Sequence, residues 1–76
     1  MSAAPPRTES IRIVVNGQAR TAPAGLTLLG LLGWLEVDPA RVAVELNRAI
    51  VSKTEWANIV VQPESTLEIV QFVGGG

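Results

Sequence analysis

The sequence predicts an α+β fold in which a mixed sheet of four to five strands carries one short helix on one face. Three observations point there. Apolar and polar residues alternate in β-branched stretches at residues 10–16, 42–47 and 66–72. Leu28, Leu31, Leu32 and Leu35 fall at i, i+3, i+4 and i+7, which is one face of an α-helix. Asn16-Gly17 follows directly on the first alternating stretch, and that pair suits the type I′ turn of a two-residue hairpin, where both central positions need positive φ.

Residues 1–9 are small, polar and Pro-rich with nothing to bury, so a disordered lead-in is expected there. The first strand sends Ile11, Ile13 and Val15 to one face and Arg12, Val14 and Asn16 to the other. Its hairpin partner, residues 18–22, is short and polar and runs into Pro23, as suits a sheet edge. After Pro23-Ala24-Gly25, Thr27 is the expected helix N-cap. Gly30 and Gly33 lie off the leucine stripe, and each weakens the helix by about 1 kcal/mol relative to Ala. So short a helix holds only by packing its leucine face on a sheet. Trp34 falls off the stripe, either lapping the helix edge or partly exposed, and Asp38-Pro39 closes the region. Val42, Val44 and Leu46 then point inward on a further strand, Asn47-Arg48 turns the chain, and residues 49–51 run extended. Residues 53–58 fit no single pattern; one helical turn there would set Trp56 against the core. Residues 59–61 read as short and buried, and residues 62–65 as a turn. The last strand places Leu67 and Ile69 on one face, with Glu68, Val70 and Phe72 on the other. The two most apolar strands, residues 11–15 and 67–72, belong in the middle of the sheet. A hairpin, a crossing helix and a late central strand make a β-grasp, the ubiquitin-like architecture. It would occupy residues 10–73 as one domain, followed by a flexible tail at residues 74–76.

Composition excludes much of chemistry. The 76 residues allow one domain, and 47% apolar residues suffice for one compact core. No cysteine is present, which removes disulfides, thiolate metal sites and a thiol nucleophile. No histidine is present, which removes the usual general base and the commonest metal ligand. A net charge of −1 offers no footprint for nucleic acid. Nothing resembles a signal peptide, and the longest apolar run, residues 26–35, is far too short to span a bilayer. A soluble cytoplasmic protein with no nucleic-acid or membrane partner is therefore expected. Gly30 and Gly33 lack the spacing of a phosphate loop, and Glu45, Glu55 and Glu68 make no acid/base pair. Trp34 and Trp56 are isolated, so neither belongs to a stacking platform. The chain is not expected to be an enzyme or to bind a cofactor.

The chain closes on Phe72-Val73-Gly74-Gly75-Gly76. A glycine triplet gains nothing from being ordered for structural reasons, but it can lie in a slot too narrow for a Cβ. The alternative is a frayed end. Residues 63–70 resemble the last turn and strand of ubiquitin, which also ends on Gly-Gly. A closer resemblance is to the ThiS family of sulfur carriers for the thiazole of thiamine. It is carried by Val15-Asn16-Gly17, Thr27-Leu28-Leu29, Val42-Ala43-Val44-Glu45-Leu46-Asn47, Ile50-Val51, Glu55-Trp56-Ala57 and the ending from Glu68 to Gly76. The turn at Gln62-Pro63-Glu64-Ser65-Thr66 departs from the Gly-Asp turn of most relatives, which bears on turn geometry rather than activity.

The resemblance implies that Gly76 is the modified residue. A partner adenylyltransferase of the ThiF type would use ATP to adenylate its carboxylate, and a sulfurtransferase or cysteine desulfurase would supply sulfur to make a thiocarboxylate. Thiazole synthase would be the acceptor. Gly74 and Gly75 would let the tail thread into the partner's active site. Docking would use the sheet face away from the helix, through Val70, Phe72 and Val73, joined by Val14 from the neighbouring strand. Arg41, Arg48 and Lys53 read as scattered, solvated charges, the alternative for Arg48 and Lys53 being to flank that face. The other reading of Phe72 folds it back on the core edge. A MoaD-type carrier for molybdopterin would share the tail chemistry with a different acceptor. A ubiquitin-like modifier or plain interaction module would use the fold alone; Lys53 is the one lysine, and the basic residues preceding the glycine pair of ubiquitin are absent.

Overall fold

The computed structural model describes residues 9–72. The first alternating stretch forms β1 (Ser10–Val15), folded antiparallel onto β2 (Gln18–Pro23). Asn16 and Gly17 take φ of 50° and 81°, as a type I′ turn requires. The Ala24 N–H donates to the Glu9 carbonyl at 2.9 Å, so the hairpin reaches one residue into the expected lead-in. The rest of that lead-in, residues 1–8, lies outside the described residues.

The helix α1 (Leu28–Trp34) begins where the cap residue predicts, the Thr27 hydroxyl accepting from the Gly30 N–H at 3.0 Å. Leu28, Leu31 and Leu32 are buried, and Leu35 caps the end against the same core. The helix stops earlier than Asp38-Pro39. Glu36 adopts φ of 61°, its N–H donates to the Gly33 carbonyl at 3.0 Å, and the Val37 N–H donates to the Leu32 carbonyl at 2.9 Å. That pair of bonds is a Schellman motif, in which a left-handed residue turns the chain back over the last carbonyls. Asp38 instead caps a separate 3₁₀ turn, Pro39–Arg41, accepting from the Ala40 N–H at 2.9 Å. Pro39 opens a turn rather than ending the helix, as its fixed φ and missing N–H allow at a first helical position.

The remaining strands β3 (Val42–Leu46), β4 (Ala49–Ile50) and β5 (Thr66–Gln71) complete a five-stranded sheet in the order β2-β1-β5-β3-β4. The strand β5 is central, parallel to β1 at Val14↔Thr66 and Val15↔Leu67, and antiparallel to β3 from Leu46↔Leu67 to Val42↔Gln71. Both of the most apolar strands are thus interior, as expected. Their inward residues, with Val42 and Val44, meet the leucine face of α1. The 3₁₀ turn Lys53–Glu55 delivers Trp56 to this core, 2% exposed, with its indole N–H donating to the Val51 carbonyl at 3.0 Å. Residues 59–61 are only partly the buried segment expected. Val61 is buried but Val60 is 45% exposed, because one antiparallel bridge, Thr27↔Val60, leaves neighbouring residues on opposite sides. Among the described residues no helix is long and apolar enough to cross a membrane.

Candidate functional site: the root of the C-terminal tail

The strand β5 runs from the middle of the core to Gln71, the last strand residue before the C-terminal segment. Alternation along β5 sends Leu67 inward and leaves Val70 and Phe72 each 56% exposed. Val70 lies opposite Ala43, and the Phe72 N–H donates to the Arg41 carbonyl at 2.8 Å, so Phe72 continues the pairing with β3 beyond the last strand residue. The core-edge reading of Phe72 does not hold, since the residue is outside the core cluster. The Lys53 ammonium stands 5.8 Å from the Phe72 ring centroid and 5.8 Å from that of Trp56. This cation–π pair ties the 3₁₀ turn to the tail root. Lys53 therefore stands beside Phe72, while Arg48 occupies the β3–β4 turn with φ of 73°.

Val14 does not join Val70. Its register partner is Thr66, four residues along β5 from Val70 and about 13 Å away at the rise of a strand. A further exposed apolar residue, unmarked by the sequence, is Ile50 on β4, 79% exposed and paired with Glu45. A two-residue strand shows no period, so nothing in the sequence marked which way Ile50 would point. Glu45 in turn lies directly opposite Glu68, and like charges facing each other across strands cost stability. Val73, Gly74, Gly75 and Gly76 lie outside the described residues.

Two asparagines fix β5 in place. The Asn16 carboxamide accepts from the Ile69 N–H at 2.7 Å and donates to the Ile69 carbonyl at 3.2 Å. On the other side the Asn47 side chain accepts from the Thr66 N–H at 2.9 Å, and the Asn47 N–H donates to the Thr66 carbonyl at 2.7 Å. Each asparagine is also the first residue of a hairpin turn, with φ of 50° at both. The turns that end β1 and β3 thereby grip the strand between them.

A second feature lies on the helix side of β5. A cleft of about 260 Å³ opens beside Gln71, floored by Val15, Leu35, Val37, Val42 and Ile69, with Arg20 as the charged residue on its wall. The Arg20 guanidinium sits 5.5 Å over the ring of Trp34, which is 39% exposed, so Trp34 is the partly exposed residue of its two readings. Among the described residues no group of three or more His, Cys, Asp or Glu could hold a metal ion.

These features define a class: a β-grasp domain whose central strand leads to a glycine-ended tail beside an exposed apolar face. The model of the ThiS family matches residues 13–76. The chain is 33% identical over 66 residues to the sulfur carrier protein ThiS of Escherichia coli (strain K12), an alignment spanning 87% of this chain and 100% of that one. It is 44% identical over 66 residues to a thiazole synthase of Magnetococcus marinus, covering 87% of this chain and 20% of the relative. The chain thus spans about a fifth of the length of the thiazole synthases it matches. Among solved structures, the thiamine biosynthesis protein ThiS of Geobacter metallireducens aligns with a TM-score of 0.77 at 29% identity, over 87% of this chain and 100% of that one. The chain belongs to the ThiS family.

Proposed function

We propose that this protein is a sulfur carrier for the thiazole of thiamine, with Gly76 as the residue that holds the sulfur. The observation that carries the reading is the family match, which extends through Gly76 on a chain whose central strand leads directly to that tail. A carboxylate is a poor acyl donor, because its leaving group would be oxide. Attack by a Gly76 carboxylate oxygen on the α-phosphorus of ATP expels pyrophosphate and gives an acyl-adenylate. The terminal sulfur of a partner's persulfide then attacks the acyl carbon and expels AMP, leaving an acyl disulfide. A second thiol cleaves that disulfide, releasing the thiocarboxylate and a disulfide on the donor side.

The chain has no histidine and no cysteine to serve as base or thiol nucleophile in these steps. A ThiF-type adenylyltransferase would bind ATP, a sulfurtransferase or cysteine desulfurase would supply the persulfide, and thiazole synthase would consume the product. The carrier itself is a co-substrate rather than an enzyme, working in the cytoplasm beside those partners. The likeness to a thiazole synthase favours this acceptor over the molybdopterin enzyme of a MoaD-type carrier. Val70 and Phe72, with Val73 beyond them, form the docking face, and Gly74 and Gly75 thread the tail into a slot that excludes a Cβ. Gly75→Val tests this. Adenylation, read as ATP–pyrophosphate exchange with the adenylyltransferase, should be lost while the thermal melt is unchanged; full activity of the variant would contradict the threading role.

A further inference from the structure

Among the described residues the edge of β5 that faces β1 is left open above the first hairpin, and we propose that it receives an extended segment of the adenylating partner as an added strand. The inference rests on the reading of the chain as a carrier activated by such an enzyme. Backbone groups along β5 alternate between its two neighbours. Thr66 and Phe72 engage the β3 side, through Asn47 N–H to the Thr66 carbonyl at 2.7 Å and Phe72 N–H to the Arg41 carbonyl at 2.8 Å. Ser65 and Leu67 engage the β1 side, their carbonyls accepting from the N–H groups of Val14 and Asn16 at 2.9 Å each. There β1 turns away, and the Asn16 side chain substitutes for a strand at Ile69. Gln71 is the next residue of that parity. Its N–H and carbonyl point to the same side, where the register between β1 and β5, ending at Val15↔Leu67, offers no described residue to meet them. An open N–H and carbonyl in line with a strand are a template for strand addition. A helix cannot use them, because its own backbone groups are paired internally.

The adjoining cleft indicates what that segment carries. Side chains of an added strand point alternately to the two faces of the sheet. One directed to the helix side enters the cleft, whose floor of Val15, Val37, Val42 and Ile69 suits an apolar residue. Arg20 on the wall is the charge complement of an acidic neighbour in the same segment. Such a strand lies beside the tail root and would hold it straight as Gly76 enters the active site.

Gln71→Pro removes the open N–H without touching a bond to β3, and proline is tolerated where a strand N–H has no partner. With the host's ThiF-type adenylyltransferase, pyrophosphate exchange is measured against carrier concentration. Gln71→Pro should raise the half-saturating concentration about tenfold, the worth of one interfacial hydrogen bond. Arg20→Glu should raise it as well. In the unaltered chain, hydrogen exchange at the Gln71 amide should be fast alone and slow in the complex. That last readout decides the matter if Gln71→Pro does not fold. A folded Gln71→Pro with unchanged half-saturation, or a Gln71 amide equally exposed in the complex, overturns the proposal. Protection appearing in the free chain as its concentration rises also overturns it, by showing that a second copy fills the edge. If Gly75→Val abolishes exchange and Gln71→Pro does nothing, only the added strand is lost; if the unaltered chain supports no exchange, the carrier reading itself fails.

Discussion

Asn16 combines a local role with a distant one. Locally it takes the positive φ that begins a type I′ turn, and at long range its carboxamide makes both hydrogen bonds to Ile69 that a neighbouring strand would otherwise make. Asn16→Ala removes two side-chain bonds and strains the turn, so it should cost about 1–2 kcal/mol in urea denaturation. Asn16→Gly keeps the turn but not the bonds, and should recover only part of that loss; an Asn16→Ala variant as stable as the parent would show that the grip on Ile69 is idle. The turn was legible, since Asn-Gly is a local signal. The grip was not, because Ile69 is 53 residues away and no periodicity encodes which backbone a turn side chain will reach. The same limit explains Val14. Its face was read correctly from alternation, but its neighbour on β5 depends on a parallel register that only the folded chain reveals.

At the scale of elements, α1 shows where sequence rules act and where they stop. Its start and buried face follow from Thr27 and from the leucine spacing. Its end does not, because the left-handed position is filled by Glu36 instead of the usual glycine, whereas Asp38-Pro39 was the stop the sequence offered. Glycine stands instead at Gly33, where an added Cβ would meet nothing within 4 Å. Gly33→Ala should therefore raise stability by about 0.5–1 kcal/mol, and Glu36→Gly should raise it by about 1 kcal/mol through relief of the left-handed backbone. Both are read from thermal melts, and a lowered melting temperature for either would contradict the assigned helix end. The strands were more legible than their edges: β1, β3 and β5 are long enough to show a period, whereas β4 has two residues and hid the exposed Ile50.

The whole molecule is a small sheet built around the strand that leads to the tail. Burial of Leu67 anchors one end of β5 in the core, while exposure of Val70 and Phe72 at the other opens a surface at the tail root. The architecture was readable because hairpin, helix and late central strand each carry a local signature, and their order admits few sheets. The site was readable only as the ending Phe72-Val73-Gly74-Gly75-Gly76 and the residue types the chain lacks; the cleft beside Gln71 is assembled from four separate segments and leaves no mark in any one of them. An inert domain presenting one activatable carboxylate, with every reaction performed by other proteins, is the central claim. The most direct test is intact-mass analysis of the chain isolated from cells that retain their own sulfur machinery. The account predicts an oxygen-to-sulfur mass increase that maps to the peptide ending at Gly76. A chain that carries no sulfur under thiamine demand, or a modification that maps to Lys53 or any other residue instead, would contradict it.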